Sequence, residues 1–459
     1  MKPFYKTLNV AILILTVIFV QLFSCKKYLD EKPDKGIVVP RTLTDLQALL
    51  DNSTQMNVVA TPNFGESSAD DYFLTPNSYN SFPSDYKNIY TWKRGDYFFQ
   101  NDWSFAYTAI YNSNYCLEIL RTIPVTSANQ TQWNNVKGSA LFYRSYYFLN
   151  LMWVYAKAFD ESSANSDLGI VLRLASDFNI PSVRSSVKDC YQRIIQDGID
   201  AISYLPDYSI HVMRPSKVAA YGLLARAYLS MRAYDSAFKY SNLCLHLKSD
   251  LINFNGDADI NGSISNNTPF MKYNKETIFY AEMNKTYYVI LPGSRAKIDT
   301  TLYASYASND RRKPAFFKLI NPYYQFKGSY AASPTTLFSG IATDEMFLTR
   351  AECYARLNYK DSALIDLNTL LGRRYDATFV PVTAATAQDA LNYILIERRK
   401  ELCMRGLRWI DIKRLNKEGK NIVLTRVAGG QTYTLQPNSN YYALPLPRDI
   451  IQESGIPQN

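Results

Sequence analysis

Apolar residues recur at helical spacing along most of the chain. From Thr42 to Asp51, Leu43, Leu46, Leu49 and Leu50 fall on one face, which predicts a short amphipathic helix. Trp103, Ala106, Ile110, Leu117 and Leu120 mark a longer helix from Asp102 to Ile123, which Pro124 breaks. Ala140, Tyr143, Tyr147, Leu151 and Val154 mark another between Trp133 and Phe159. Ser186-x-x-Asp189 supplies a cap for a helix running to Leu205, with Pro206 as its stop.

Two later segments carry the pattern of helical hairpins of the tetratricopeptide type. Tyr221, Leu224, Ala225 and Tyr228 lead to Ala237 and Cys244; Phe347, Ala351 and Tyr354 lead to Ala363, Leu367 and Leu370. In each, a small residue lets two helices approach and an aromatic ring fills the gap three residues later. The expected fold is therefore mainly α, a scaffold of helical hairpins. Residues 60–100 and 250–340 break the pattern, being rich in Asn, Ser, Gly, Pro, Asp and Tyr. They are too long for plain connectors and predict a loop-rich ligand face. Ile422–Val427 and Thr432–Leu435 flank Gly429-Gly430, which reads as a small C-terminal β-hairpin.

Composition sharpens this picture at one point. The 459 residues are 47% hydrophobic and 20% charged, as in a globular protein, yet they include 37 Tyr, 23 Phe and 5 Trp. Tyrosine joins an apolar ring to a hydroxyl and suits wet recognition surfaces, although rings at helical spacing belong to cores. The net charge of +9 is scattered in short runs such as Arg311-Arg312 and Arg398-Arg399-Lys400. Nothing concentrates it on one face, which argues against a nucleic-acid partner.

The N-terminus carries an address. Lys2 and Lys6 precede the apolar run Leu8–Phe23, which is shorter than the roughly 20 residues of a membrane span but fits a signal peptide. The run closes on Leu22-Phe23-Ser24-Cys25, similar to a bacterial lipobox, so residues 1–24 are expected to be removed and Cys25 lipidated. Residues 25–459 then form one domain, with loop insertions near 60–100 and 250–340. Lys26 leaves no inner-membrane retention aspartate after the cysteine, which points to the outer membrane. Five further cysteines form no C-x-x-C, and His211 and His246 belong to no zinc motif, so no cofactor or metal is expected.

Two acidic patterns invite chemistry. Glu397 and Glu401 lie one helical turn apart, but Arg398, Arg399 and Lys400 stand between them, which favours a charge lock over a glycosidase pair. Asp257-Ala258-Asp259-Ile260-Asn261-Gly262 copies half of a calcium loop, but Thr268 stands where the bidentate carboxylate belongs. A polar loop is the reading adopted.

Together these features resemble the SusD/RagB family of outer-membrane nutrient-binding lipoproteins. The resemblance rests on Tyr28–Pro33 after the lipobox, on Asp102-Trp103 with Asn114, and on Ala140, Arg144 and Tyr147. Asp310-Arg311-Arg312, Arg350-Ala351-Glu352, Ile396–Leu402, Gly406, Arg408-Trp409, Asp411 and the closing Leu444–Pro447 and Gln458-Asn459 extend it over nearly the whole chain. Cys403-Met404 departs from the family's commoner pair.

The resemblance implies a cell-surface, non-enzymatic binder. It would cap a SusC-like TonB-dependent transporter, with an oligosaccharide as ligand. It also implies that ligand is received on the two loop regions, which hold Asp70, Asp71, Tyr72, Tyr79, Tyr86, Tyr90 and Trp92, and then Tyr287, Tyr288, Tyr323 and Tyr324. Trp92 and Tyr86 are the first choices as stacking platforms, with Asp70 or Asp71 as hydroxyl acceptors. A peptide-binding member, a surface glycoside hydrolase and a pure interaction scaffold are the other readings.

Overall fold

A computed structural model describes residues 39–285 and 295–459. The leader, Cys25, Tyr287 and Tyr288 lie outside the described residues. Helix α1 (Leu43–Leu50) opens on a capping box in which Thr42 and Asp45 satisfy each other's backbone N–H groups. Asn101 does the same with Ser104 for α2 (Asp102–Leu120). Helix α3 (Gln130–Tyr155) is the axis of the molecule. Almost every residue from Val136 to Tyr155 is buried, as in a helix covered on all sides.

Helices α1, α2 and α4 (Val187–Tyr204) pack around α3, and Ser186 caps α4 through the Asp189 N–H. The two hairpins form as the spacing predicts, α5 (Lys217–Ser230) with α6 (Tyr234–Leu247), and α7 (Thr343–Arg356) with α8 (Lys360–Arg374). Although distant in sequence, they pack together. The Phe238 and Tyr354 rings meet at 4.8 Å, and a buried Arg226–Glu345 pair ties α5 to α7. Helices α9 (Ala387–Glu401) and α10 (Arg408–Asn416) close this end. One buried hydrophobic cluster runs from Leu43 to Ile456. The fold is mainly α with small strand pairs, as expected.

Those strand pairs sit outside the helices. β1 (Tyr72–Leu74) pairs antiparallel with β2 (Ala296–Ile298), and β3 (Phe317–Ile320) with β4 (Tyr323–Phe326). The C-terminal hairpin is β5 (Leu424–Ala428) with β6 (Gln431–Leu435); Gly429 and Gly430, at φ +56° and +75°, form the positive-φ turn such a hairpin prefers.

Residues 60–100 differ from expectation. They are not a loop but hold short helices at Phe64–Ser68, Pro76–Asn80 and Ser84–Tyr90. Helices of five to seven residues are too short to show a period in sequence, and here tertiary packing holds them. Among the described residues no helix is long and apolar enough to cross a membrane.

Candidate ligand-binding face

The β1–β2 ladder joins the two segments that the sequence analysis singled out. Tyr72 faces Ile298, Phe73 faces Lys297 and Leu74 faces Ala296. Strand alternation decides which rings show. Tyr72 and Leu74 point into the core, while Phe73 is half-buried and meets the Tyr323 ring edge-on at 5.1 Å. Next along β4, Tyr324 stacks on Tyr303 with centroids 3.6 Å apart, and Lys313 Nζ lies 4.6 Å from the Tyr303 ring. Tyr86 stacks on Phe82 at 5.4 Å, and the Arg295 guanidinium lies over Phe82 at 4.8 Å, just before β2 begins. Tyr79 is half-buried beside Gly429 of the C-terminal hairpin. Five half-buried rings (Phe73, Tyr86, Tyr303, Tyr323 and Tyr324) therefore gather around one strand pair and hairpin.

Other expected site residues are interior. Tyr72, Tyr90 and Trp92 form a box around Arg426, whose guanidinium lies 5.1, 4.0 and 4.8 Å from their rings. The Tyr72 hydroxyl donates to the Ser67 carbonyl at 2.6 Å, and Trp92 Nε1 donates to the Ser68 carbonyl at 2.9 Å. The Tyr90 hydroxyl accepts from the Leu74 N–H at 2.9 Å. With 1% of Tyr90 and 6% of Trp92 exposed, neither ring offers a face for stacking. The choice of Trp92 as a platform is therefore corrected. Its ring completes the seat of a buried arginine.

Asp70 and Asp71 are corrected for a related reason. Asp70 accepts from Arg408 Nε at 2.7 Å and Nη2 at 3.0 Å, and Asp71 accepts from Arg399 Nε at 3.0 Å. Burial opposes the charge on Asp70, but Arg408 and then Arg399 outweigh it and hold the carboxyl down to about 2. Both acids are engaged by protein cations and do not stand ready for sugar hydroxyls.

The tempting carboxylates are locked as well. Glu397 and Glu401 are bridged by Arg312, fully buried, which also takes Asp310 at 2.7 Å. Of the three cations between them in sequence only Lys400 joins in, at 2.9 Å from Glu397; Arg398 turns to Asp411 and Arg399 to Asp71. In the half calcium loop, Asp257 lies 2.7 Å from Lys275 Nζ, so a lysine already balances it. Among the described residues no three His, Cys, Asp or Glu side chains converge as a metal site. The five described cysteines are buried and free, and burial pushes Cys116 and Cys190 up to about 12.

Sequence reasoning missed Phe73, Phe82, Tyr303 and a second feature. A groove of about 890 Å³ runs between α2, residues 173–182 and the C-terminal helix, with Phe98, Phe99, Tyr107, Tyr111 and Phe178 on its walls. Phe178 is 83% exposed and Phe99 71%. Strand alternation would have exposed Phe73; the groove has no local signal, because its walls come from three distant segments.

Comparison with known proteins bears on all of this. A family described as starch-binding and associating with the outer membrane matches residues 27–229, and the SusD family matches residues 225–451. A search of the curated proteins gave no match. Among solved structures, a protein provisionally described as sugar binding, from Bacteroides vulgatus, superposes with a TM-score of 0.73 at 18% identity, covering 92% of this chain and 99% of that one. A SusD superfamily protein from Bacteroides thetaiotaomicron gives 0.73 at 19% identity over 91% and 99%. One from Bacteroides fragilis gives 0.70 at 21% over 90% and 97%. At these identities the likeness speaks for the fold; with matches to the family running from residue 27 to 451, the chain belongs to the SusD family.

Proposed function

We propose that the chain is a surface lipoprotein of the outer membrane, anchored through Cys25. It binds an oligosaccharide without cleaving it and passes it to a SusC-like TonB-dependent transporter. The observation that carries the ligand reading is the ring cluster joined by the β1–β2 ladder, Phe73 against Tyr323 and Tyr303 on Tyr324. Sugar rings present C–H faces that stack on such platforms, while hydroxyl groups find the phenols and Lys313. The sugar-binding description of the Bacteroides vulgatus neighbour and the starch-binding description of the matching family agree with this reading. Tyr79, Tyr86, Tyr323 and Tyr324 remain in the proposed site, and Tyr287 and Tyr288 join them as residues between Lys285 and Arg295. The locked state of Glu397 and Glu401 supports a binder over a hydrolase.

A glycan and peptide array probed with residues 26–459 tests the ligand class. Expected is retention of a neutral oligosaccharide, lost in a Phe73→Ala, Tyr323→Ala double variant and accompanied by no release of reducing ends. Retention of peptides alone, or turnover abolished by Glu397→Gln, overturns it. A second ligand face is favoured by one observation, the exposed Phe99 and Phe178 rings of the 890 Å³ groove. Loss of glycan in Phe99→Ala, Phe178→Ala, but not in the first pair, moves the site there.

A further inference from the structure

A separate cavity of about 590 Å³ opens between the short helix Thr300–Ala304, α9, α10 and the chain that follows α10. Its walls carry Arg399, Lys400, Arg408 and Lys420 but no carboxylate, and Leu395, Ile396 and Ile422 give it an apolar side. Lys400 is engaged inward, at 3.0 Å from Asp310 and 2.9 Å from Glu397. The two arginines are engaged only on one edge. Arg399 donates Nε to Asp71 and Nη2 to the Asp70 carbonyl; Arg408 donates Nε and Nη2 to the Asp70 carboxylate. In both, Nη1 has no hydrogen-bond partner among the described residues. Lys420 is exposed and reaches Asn392 Oδ1 at a loose 3.4 Å.

This is a donor-rich wall whose own acceptors are neutral, the Asn392 amide and the Thr301 and Ser305 hydroxyls. Asp70 and Asp71, behind the arginines, fix the planes of both guanidiniums, so a guest meets forks already oriented. Asp70 and Asp71 meet the charges of the two arginines, and among the described residues Lys420 is the wall cation with no carboxylate beside it; a guest carboxylate would pair Lys420 and take the two open Nη1 groups, which a neutral sugar would not. The volume lies within the range of about 300–1,000 Å³ found for small-ligand sites.

We propose that this cavity binds a carboxylate-bearing solute. The carboxylate lies against Arg399 Nη1, Arg408 Nη1 and Lys420 Nζ, and the carbon face of the solute rests on Leu395, Ile396 and Ile422. An acidic saccharide and an acidic peptide share this chemistry. The cavity needs nothing from the Phe73–Tyr323 rings, so it stands or falls apart from the proposed sugar face.

Calorimetric titration of residues 26–459, which include every described residue, tests it with three probes: trigalacturonate, galactotriose and a glutamyl-glutamate dipeptide. Arg399→Gln or Arg408→Gln would take from Asp71 or Asp70 its nearest cation, so the informative variant is Lys420→Glu, which changes an exposed side chain. Support is an acidic probe binding at least about fivefold tighter than galactotriose and weakening as salt rises. Its affinity should fall about tenfold in Lys420→Glu, with the melting temperature unchanged. Whichever acidic probe binds tighter tells saccharide from peptide. Absence of binding by both acidic probes at millimolar concentration overturns the proposal, as does equal binding of galactotriose or an unchanged affinity in Lys420→Glu. Galactotriose binding that survives Lys420→Glu while the acidic probes fail upholds the ring face and removes this cavity alone.

Discussion

Arg312 and Glu401 face each other entirely away from solvent: Arg312 Nη1 donates to Glu401 Oε2 at 3.0 Å, and neither side chain is exposed. The other Glu401 oxygen accepts from Arg374 Nε at 2.6 Å, and Arg374 goes on to Glu276 at 2.8 Å. The chain of charges thus ties α9 to α8, to Glu276 just before the short strand Thr277–Phe279, and to the helix Arg312–Phe316. It anchors the 250–340 segment to the scaffold.

Arg312→Met should therefore act on stability. Removing one member of a buried ion network leaves the others uncompensated and costs about 3–5 kcal/mol. Urea unfolding of the variant should show that loss, and Glu401→Gln should cost a similar amount. A change below about 1 kcal/mol in both would mean that the lock is not structural.

Glu66 makes a pH dependence. Its Oε2 accepts from the Gly406 N–H at 2.8 Å, while Oε1 has no partner among the described residues. Burial, and then the neighbouring Asp71, push the carboxyl from its ordinary 4.5 up to about 8. The folded chain thus keeps a proton that the unfolded chain releases, so this contribution is complete below pH 4.5 and lost as pH rises through about 8. Glu66→Gln imitates the neutral form. Its urea midpoint should exceed that of the native chain at pH 9, and the difference should shrink towards pH 4. Parallel midpoints across that span would contradict the protonated state.

Part of this was legible in the sequence and part was not, for physical reasons. The helical hairpins were legible because their spacing is local: Ala225 and Tyr228, or Ala351 and Tyr354, lie within one turn of each other. That Glu397 and Glu401 need cations was legible too. Which cations was not, since Arg312 and Arg374 arrive from other elements while two of the three neighbouring cations turn elsewhere. The rings failed in the same way. Tyr90 and Trp92 sit in a polar segment and read as exposed, yet Arg426, more than 330 residues away, draws them inward. A ring's exposure depends on such distant partners, so the ring-rich segments could be named but not which of their rings are half-buried and which interior.

The proposed anchor rests on Cys25. Cys25→Ser should remove the proposed lipidation site, so the protein should no longer fractionate with outer membrane or take up labelled palmitate. The fold should persist, because among the described residues one buried cluster runs from Leu43 to Ile456 and already ties the helices together. Unchanged membrane partition together with unchanged lipid labelling would refute the anchor.

The rings give the sharpest contrast, between Trp92 and Tyr323. Trp92 packs in the core with its Nε1 on the Ser68 carbonyl and its face towards Arg426. Trp92→Ala should therefore cost about 3–5 kcal/mol of stability, as large core truncations do. Tyr323 is half-buried at the edge of a two-stranded hairpin and meets Phe73, so its removal opens no interior cavity. Tyr323→Ala should cost under about 1 kcal/mol of stability but remove a stacking contact worth about 1 kcal/mol, or roughly fivefold in affinity. Melting curves and titration of the array-identified glycan separate the two effects. Loss of affinity in Trp92→Ala at unchanged stability, with Tyr323→Ala silent, would place the sugar at the Arg426 box and reverse the assignment of inside and outside made for these rings.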